Sequence, residues 1–74
     1  MGLEMRRTDD LVRIIGAGGG LFLDASVRPT DDLVRLALAA NRSGAVLRLK
    51  GLHMRSTDDL IRIALAGAGK VVFE

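Results

Sequence analysis

The chain has 74 residues and a formal net charge of +2, and it contains no cysteine, tryptophan or tyrosine. The absence of cysteine excludes a disulfide framework, a thiol nucleophile and a cysteine metal site. Hydrophobic residues make up 49% of the chain, which is too many for a disordered protein. A domain of this size buries only about 60% of the surface that its unfolded chain exposes, so we expect it to gain stability by association.

Three closely similar segments occur along the chain. They begin at Thr8, Thr30 and Thr57, and each starts with Thr-Asp-Asp-Leu and has an arginine five residues after the threonine. Recurrence after 22 and 27 residues predicts stacked units of one strand and one helix. The predicted organisation is a single domain of three repeats, at about 2–20, 21–44 and 45–74.

The start of each segment is typical of a helix N-terminus. The threonine is a predicted N-cap, because its hydroxyl can accept a hydrogen bond from a backbone N–H group. The two aspartates then interact favourably with the helix dipole, and the arginine predicts an i,i+4 ion pair worth about 0.2–0.5 kcal/mol. The predicted pairs are Asp9–Arg13, Asp31–Arg35 and Asp58–Arg62. The rest of each helix is nearly all apolar, so we expect it to be covered on more than one side.

Glycine and short apolar runs follow each predicted helix. The glycines in 16–20, 43–44 and 67–69 fit left-handed C-caps. The runs after them predict strands at Leu21–Asp24, Ala45–Lys50 and Val71–Glu74. Strands joined by helices are parallel. The predicted fold class is therefore α/β, with a short parallel sheet of three to four strands, three helices on one face and a solenoid-like stack.

Alternation along the strands assigns side chains to two faces of the sheet. The strand leucines, and Val71 and Phe73 in the last strand, are predicted to face the helices. The opposite face is expected to be solvated or to lie at an interface, and it carries Phe22, Arg48, Lys50, Val72 and Glu74. Aligning the repeats places Lys50 between Asp24 and Glu74, which favours a central position for the Lys50 strand.

The two ends of the sequence repeat each other's pattern. Residues 2–8 match the pattern of 51–57, and the chain stops where that pattern would begin again. We therefore predict incomplete strands at Gly2–Met5 and Val71–Glu74, with unpaired sheet edges. This favours a homo-oligomer, either closed or head-to-tail.

The sequence offers little for catalysis. The glycine segments follow helix ends, whereas phosphate-binding loops precede helix starts. The Asp-Asp pairs recur identically in every repeat, which favours helix-start electrostatics over metal binding or acid–base chemistry. His53 is the single histidine and cannot form a multi-histidine metal site within one chain. We therefore predict no enzymatic activity, no metal and no cofactor.

One set of basic residues remains as a candidate binding site. Nine of the eleven basic residues are arginine, and one lies two positions before each repeat threonine. These positions follow the strands, where α/β proteins place their ligands. The row of Arg6, Arg28 and Arg55, with Arg7 and His53 beside it, could bind an anion or an acidic protein partner. The alternative is that each arginine pairs with an aspartate of the adjacent repeat.

The function that the sequence favours is a non-catalytic protein-interaction or self-assembly module. The alternative is a small anion- or nucleic-acid-binding protein that uses the arginine row. Nucleic acid is less favoured, because two phenylalanines are the only aromatic residues available for base stacking. The apolar stretch from Ile14 to Leu23 is about half as long as a membrane span, so no membrane insertion is expected. The first ten residues lack a signal-peptide core, which favours the cytoplasm.

Overall fold

Helices and strands alternate along the chain. The computed structural model describes residues 6–74, so the predicted strand at Gly2–Met5 lies outside the described residues. The helices are α1 (Thr8–Gly16), α2 (Thr30–Ser43) and α3 (Thr57–Gly67). The strands are β1 (Leu21–Asp24), β2 (Leu47–Lys50) and β3 (Val71–Phe73). Within residues 6–74, no helix has both the length and the hydrophobicity needed to cross a bilayer.

The three strands form one parallel sheet in the order β1-β2-β3. The Lys50 strand is therefore central, as the charge pattern predicts. The register places Phe22, Arg48 and Val72 in one row across the sheet. These observations confirm the α/β class and the parallel sheet, and the solenoid-like continuation of the stack stays a prediction.

The core lies between the helices and one face of the sheet. Leu23 and Leu49 are fully buried, whereas the side chains that alternate with them along β1 and β2 are half-buried or exposed. The largest fully buried side chains are Leu11, Ile15, Leu23, Leu33, Leu36, Leu47, Leu49 and Ile63. The alternation predicted for the first two strands is therefore confirmed. In β3 it is weaker, because Val71 is half-buried and Phe73 remains 40% exposed.

The helices begin where the repeats predict, but the threonines do not cap them. Thr8 and Thr30 are the first helical residues, and neither α1 nor α2 has a side-chain cap bond. Only α3 has one within the described residues, where Ser56 Oγ accepts the N–H of Asp59 at 3.1 Å. The predicted threonine caps are therefore wrong, and the hydroxyls of Thr8 and Thr30 make other contacts.

The C-termini of α2 and α3 differ. Helix α2 ends at Gly44, which has a φ of +81° and donates its N–H to the Ala40 carbonyl at 2.9 Å, as the glycine pattern predicts. In α3, Gly67 is the last helical residue, and its lack of a side chain makes room for Val71, because a Cβ atom there would overlap Val71 Cγ2. The left-handed cap falls on Ala68, with a φ of +48°. The glycine cap is thus confirmed for α2. In α3, Gly69 of the predicted segment follows the Ala68 cap with a φ of +88°. In α1 the cap position is Ala17, with a φ of −84°, and the left-handed residue of the predicted segment is Gly18, with a φ of +98°.

Candidate interaction surfaces

The threonine of the first repeat is held by two side chains of the second repeat. Arg28 Nη1 donates to Thr8 Oγ1 at 2.8 Å, and the Thr8 hydroxyl donates to Asp32 Oδ2 at 3.1 Å. Arg28 Nη2 also donates to the carbonyl oxygen of Arg6 at 2.6 Å. We call this arrangement the threonine clamp: a threonine hydroxyl between an arginine and an aspartate of the following repeat.

The same clamp recurs between the second and third repeats. Arg55 Nη1 donates to Thr30 Oγ1 at 2.7 Å, and the Thr30 hydroxyl donates to Asp59 Oδ2 at 3.4 Å. Arg55 Nη2 also donates to two carbonyl oxygens of the loop before α2, at 3.0 Å to Ala25 and more closely to Arg28. One guanidinium therefore ties α3 to both the helix start and the loop of the preceding repeat.

Ion pairs cross the same two junctions. Arg35 Nη2 lies 2.6 Å from Asp9 Oδ1, and Arg62 Nη2 lies 3.0 Å from Asp31 Oδ1. A longer contact of 3.9 Å joins Arg62 to Asp59 in the same helix. The predicted i,i+4 pairs are wrong: among residues 6–74 each of these two arginines binds the aspartate of the preceding helix instead.

Pairing with Arg35 changes the acidity of Asp9. The hydrogen bond from Arg35, and then its positive charge, lower the pKa of Asp9 below its ordinary value of 3.8. The same hydrogen bond raises the pKa of Arg35. Because ionised Asp9 is favoured in the folded state, folding and ionisation of this carboxyl are linked.

We expect this ion pair to contribute to stability at neutral pH and to be lost in acid. A carboxyl with a lowered folded pKa stabilises the fold above its unfolded pKa, and this contribution disappears as the pH falls through the folded value. Urea unfolding at pH 7, 4, 3 and 2 should therefore show a smaller acid-induced loss in Asp9→Asn than in the wild type. In protein dilute enough to stay monomeric, Asp58→Asn is the control, because Asp58 is exposed and forms no ion pair within the described part of the chain. Equal pH profiles for wild type and Asp9→Asn would contradict the linkage.

The predicted arginine row is not one exposed patch. Arg28 and Arg55 are half-buried in the clamps, whereas Arg6, Arg7 and His53 are exposed. Each of the two half-buried arginines reaches a threonine hydroxyl that in turn binds an aspartate. In the part of the chain that the structure describes, no group of three or more histidine, aspartate or glutamate side chains is placed to hold a metal ion.

The uncovered face of the sheet brings the five predicted interface residues together. Arg48 Nε and Nη2 both donate to Glu74 Oε2, at 2.9 and 2.8 Å. Arg48 Cζ lies 5.1 Å from the centre of the Phe22 ring, and Lys50 Nζ lies 5.8 Å from it. Val72 aligns with Arg48 and is 42% exposed. Glu74 therefore binds Arg48 rather than Lys50, which corrects the predicted charge row.

The other acid of the predicted row, Asp24, is held by its own loop. It aligns with Lys50 across the sheet, as predicted. Its Oδ1 atom accepts the N–H of Ser26 at 3.1 Å. That bond, and then the Ser26 hydroxyl, lower the pKa of Asp24, and the charge of Lys50 contributes less. Asp24 thus mainly shapes the turn after β1.

The side of α1 that points away from α2 forms what we call the leading face. It consists of Arg6, Asp10, Arg13, Ile14 and Ala17, which line a shallow groove of about 370 Å³. The repeat counterparts of Ile14 are Leu36 and Ile63, and both are fully buried in the hydrophobic core. Ile14 itself is only half-buried. The leading face therefore has the composition of a helix–helix contact but forms no such contact within the described residues.

The opposite end of the stack, which we call the trailing face, belongs to α3 and β3. It consists of Thr57, Asp58, Ile61, Ala64 and Phe73. Ile61 is 49% exposed and Ala64 is exposed, whereas the counterparts of Ala64, Ile15 and Ala37, are fully buried. The expectation that every helix is covered on more than one side is therefore wrong for α3. The apolar Ile61 and Ala64 on its outer side face solvent.

The arginines of the two clamps are predictable from the sequence, but the threonine hydroxyls that they bind are not. The positions of Thr8 and Thr30 at helix starts favour capping, and those of Asp32 and Asp59 in the first turn favour an interaction with the helix dipole. The available signal was the identity of the positions: arginine, threonine and aspartate recur at offsets of −2, 0 and +2 in all three repeats. Side chains that are identical in stacked units are candidates for contacts between those units.

Comparison of the chain with protein-family models, curated proteins and solved structures found no match to any of them.

Proposed function

We propose that this protein is a non-catalytic interaction module that binds protein chains, foremost copies of itself, through the open ends of its stack of repeats. The cytoplasmic location and the homo-oligomer predicted from the sequence are part of this proposal. The observation that carries it is the exposure of apolar positions on the trailing face whose counterparts are buried.

Phe73 illustrates this exposure. It occupies the repeat position of Leu23 and Leu49, which are both fully buried, yet it remains 40% exposed at the open edge of the sheet. An unpaired parallel strand also presents backbone hydrogen-bonding groups to solvent. Apolar side chains next to an open strand edge favour a protein partner over a small polar ligand.

The contacts of the arginines support this proposal over the anion-binding alternative. Arg28 and Arg55 direct their guanidinium groups to hydroxyl and carbonyl oxygens of the preceding repeat. These guanidinium groups could bind a phosphate only if those hydrogen bonds were broken. In the predicted anion site, the exposed residues are Arg6, Arg7 and His53.

Sedimentation velocity over a range of low to high micromolar concentration tests the proposal. A protomer has a mass of 7.9 kDa, and we expect the average mass to rise above that value with concentration. Ile61→Glu should abolish the rise, because association would bury the new charge against apolar side chains.

Val27→Glu is the matched control for the loss of association. Val27 is 85% exposed even though its repeat is flanked on both sides, so a charge there meets no neighbour. This variant should associate like the wild type. A compact wild-type monomer at every concentration would contradict self-association, and equal weakening by both substitutions would exclude the trailing face.

A further inference from the structure

We propose that the leading face of one copy docks on the trailing face of a second copy and rebuilds there the contacts that join the repeats within the chain. This inference rests on the proposed function and gives its partner and its geometry. The new junction would contain a third threonine clamp and a third arginine–aspartate pair.

The template for this docking is present twice in the structure. At each internal junction, the later repeat supplies an arginine before its helix, an aspartate in the first turn and an arginine one turn further on. The earlier repeat supplies the clamped threonine and the adjacent aspartate. The bonds are the same at both junctions, with Arg28 and Arg55 on the threonines and Arg35 and Arg62 on the aspartates.

The trailing face offers the receiving half of this template. Thr57 is the counterpart of Thr8 and Thr30, and it is exposed, whereas Thr8 is 9% exposed. Asp58 is the counterpart of Asp9 and Asp31, and it forms no ion pair among residues 6–74. The apolar Ile61 lies one turn further along the same helix.

The leading face offers the other half. Arg6 and Asp10 stand at the clamp positions, and Arg13 stands at the ion-pair position. They line the groove around Ile14, whose counterparts Leu36 and Ile63 are fully buried. In the docked pair, Arg6 and Asp10 would hold the Thr57 hydroxyl of the second copy.

The occupant is a second copy of this chain because the two halves complement each other in charge. The leading face presents a cation, Arg13, where the trailing face presents an anion, Asp58. Docking two trailing faces would instead bring two aspartates together, and like charges at an interface are unfavourable. The contact is therefore heterologous, so a docked pair leaves one leading face and one trailing face for further copies.

Charge exchange tests this geometry. Arg13→Glu and Asp58→Arg are each expected to weaken self-association at least tenfold in sedimentation equilibrium. Each variant keeps one native face, so an equimolar mixture offers two complementary contacts. The two substituted faces can pair with each other with their charges reversed, and the two native faces can pair as in the wild type. We therefore expect the mixture to recover association to within about threefold of the wild type.

Arg42→Glu is the control for net charge. It makes the same charge change as Arg13→Glu, but on an exposed residue in the last turn of the middle helix. It should associate like the wild type. Association that is unchanged in Arg13→Glu and Asp58→Arg, or a mixture as weak as either variant alone, overturns the head-to-tail geometry but leaves self-association standing. A wild type that stays monomeric overturns both.

The threonine clamp has a separate test, in which the same substitution is made at an internal and an outer position. Thr57→Val should leave the unfolding midpoint of the dilute protein unchanged and weaken self-association about three- to tenfold. Thr30→Val should instead lower the unfolding midpoint, because its hydroxyl already bonds Arg55 and Asp59. Wild-type association in Thr57→Val would show that the third clamp does not form.

Discussion

Arg55→Ala is expected to lower the free energy of unfolding by about 2–4 kcal/mol. The substitution removes one charged donor from three acceptors: Thr30 Oγ1 and the carbonyl oxygens of Ala25 and Arg28. Hydrogen bonds to charged groups contribute about 1.5–3 kcal/mol, and acceptors left without a partner in a half-buried site add to the cost. Urea unfolding followed by circular dichroism measures the difference.

Two further variants show whether this loss comes from the bonds of Arg55. Arg42→Ala removes an exposed arginine and should change the free energy of unfolding by no more than about 0.5 kcal/mol. Arg55→Lys should recover less than half of the loss, because a single ammonium cannot replace a planar fork that serves three acceptors. If Arg55→Ala unfolds at the same urea concentration as Arg42→Ala, the guanidinium does not join the repeats.

The result also bears on the choice between the two functional hypotheses. An arginine whose role is to bind an anionic ligand contributes little to the stability of the unliganded protein. An arginine that joins two repeats contributes in the absence of any ligand. A large effect of Arg55→Ala on unfolding therefore supports the structural role of the row.

The repeated segments were sufficient to predict most of the architecture. The helix starts at Thr8, Thr30 and Thr57 are where the sequence places them, and the central position of β2 agrees with the charge pattern around Lys50. These predictions succeed because they depend on local composition and on one alignment of the repeats. Both of those are contained in the sequence itself.

The partners of the polar side chains could not be predicted in the same way. A threonine at a helix start can cap its own helix or bond a neighbour, and the choice depends on how closely the helices approach. A Cβ atom added at Gly67 would lie only 3.6 Å from Ala37 Cβ, which shows how small residues bring α2 and α3 together. At that separation Arg62 reaches Asp31 of the neighbouring helix.

Local sequence rules also do not predict that the outer repeats are more exposed than the middle one. The third repeat has nearly the same sequence as the second, so composition alone predicts the same burial for both. The difference arises from position in the stack, because α2 packs against a helix on either side, whereas α2 is the one described helix against which α3 packs. Ile61 and Phe73 are exposed for that reason.

Leu49 and Phe73 occupy the same repeat position, but Leu49→Ala should lower the free energy of unfolding much more than Phe73→Ala. Leu49 is fully buried in the central strand, and truncating such a leucine costs about 2–5 kcal/mol because a cavity remains. A domain of this length has a total stability of only about 4–11 kcal/mol. Phe73 is 40% exposed, so Phe73→Ala should lower the free energy of unfolding by about 1–2 kcal/mol in dilute protein. Equal losses in the two variants would show that the edge strand is covered in the monomer.

The concentration dependence of these losses connects stability to assembly. A partner that binds only the folded state raises the apparent stability as concentration increases. The wild type should therefore unfold at a higher temperature at about 200 μM than at about 2 μM. Phe73→Ala should lose most of this rise, because Phe73 would be buried in the docked pair. Leu49→Ala should keep it, since Leu49 is already buried inside one chain. Calorimetry at both concentrations measures the shift, and a Phe73→Ala protein with the full wild-type shift would remove Phe73 from the docking surface.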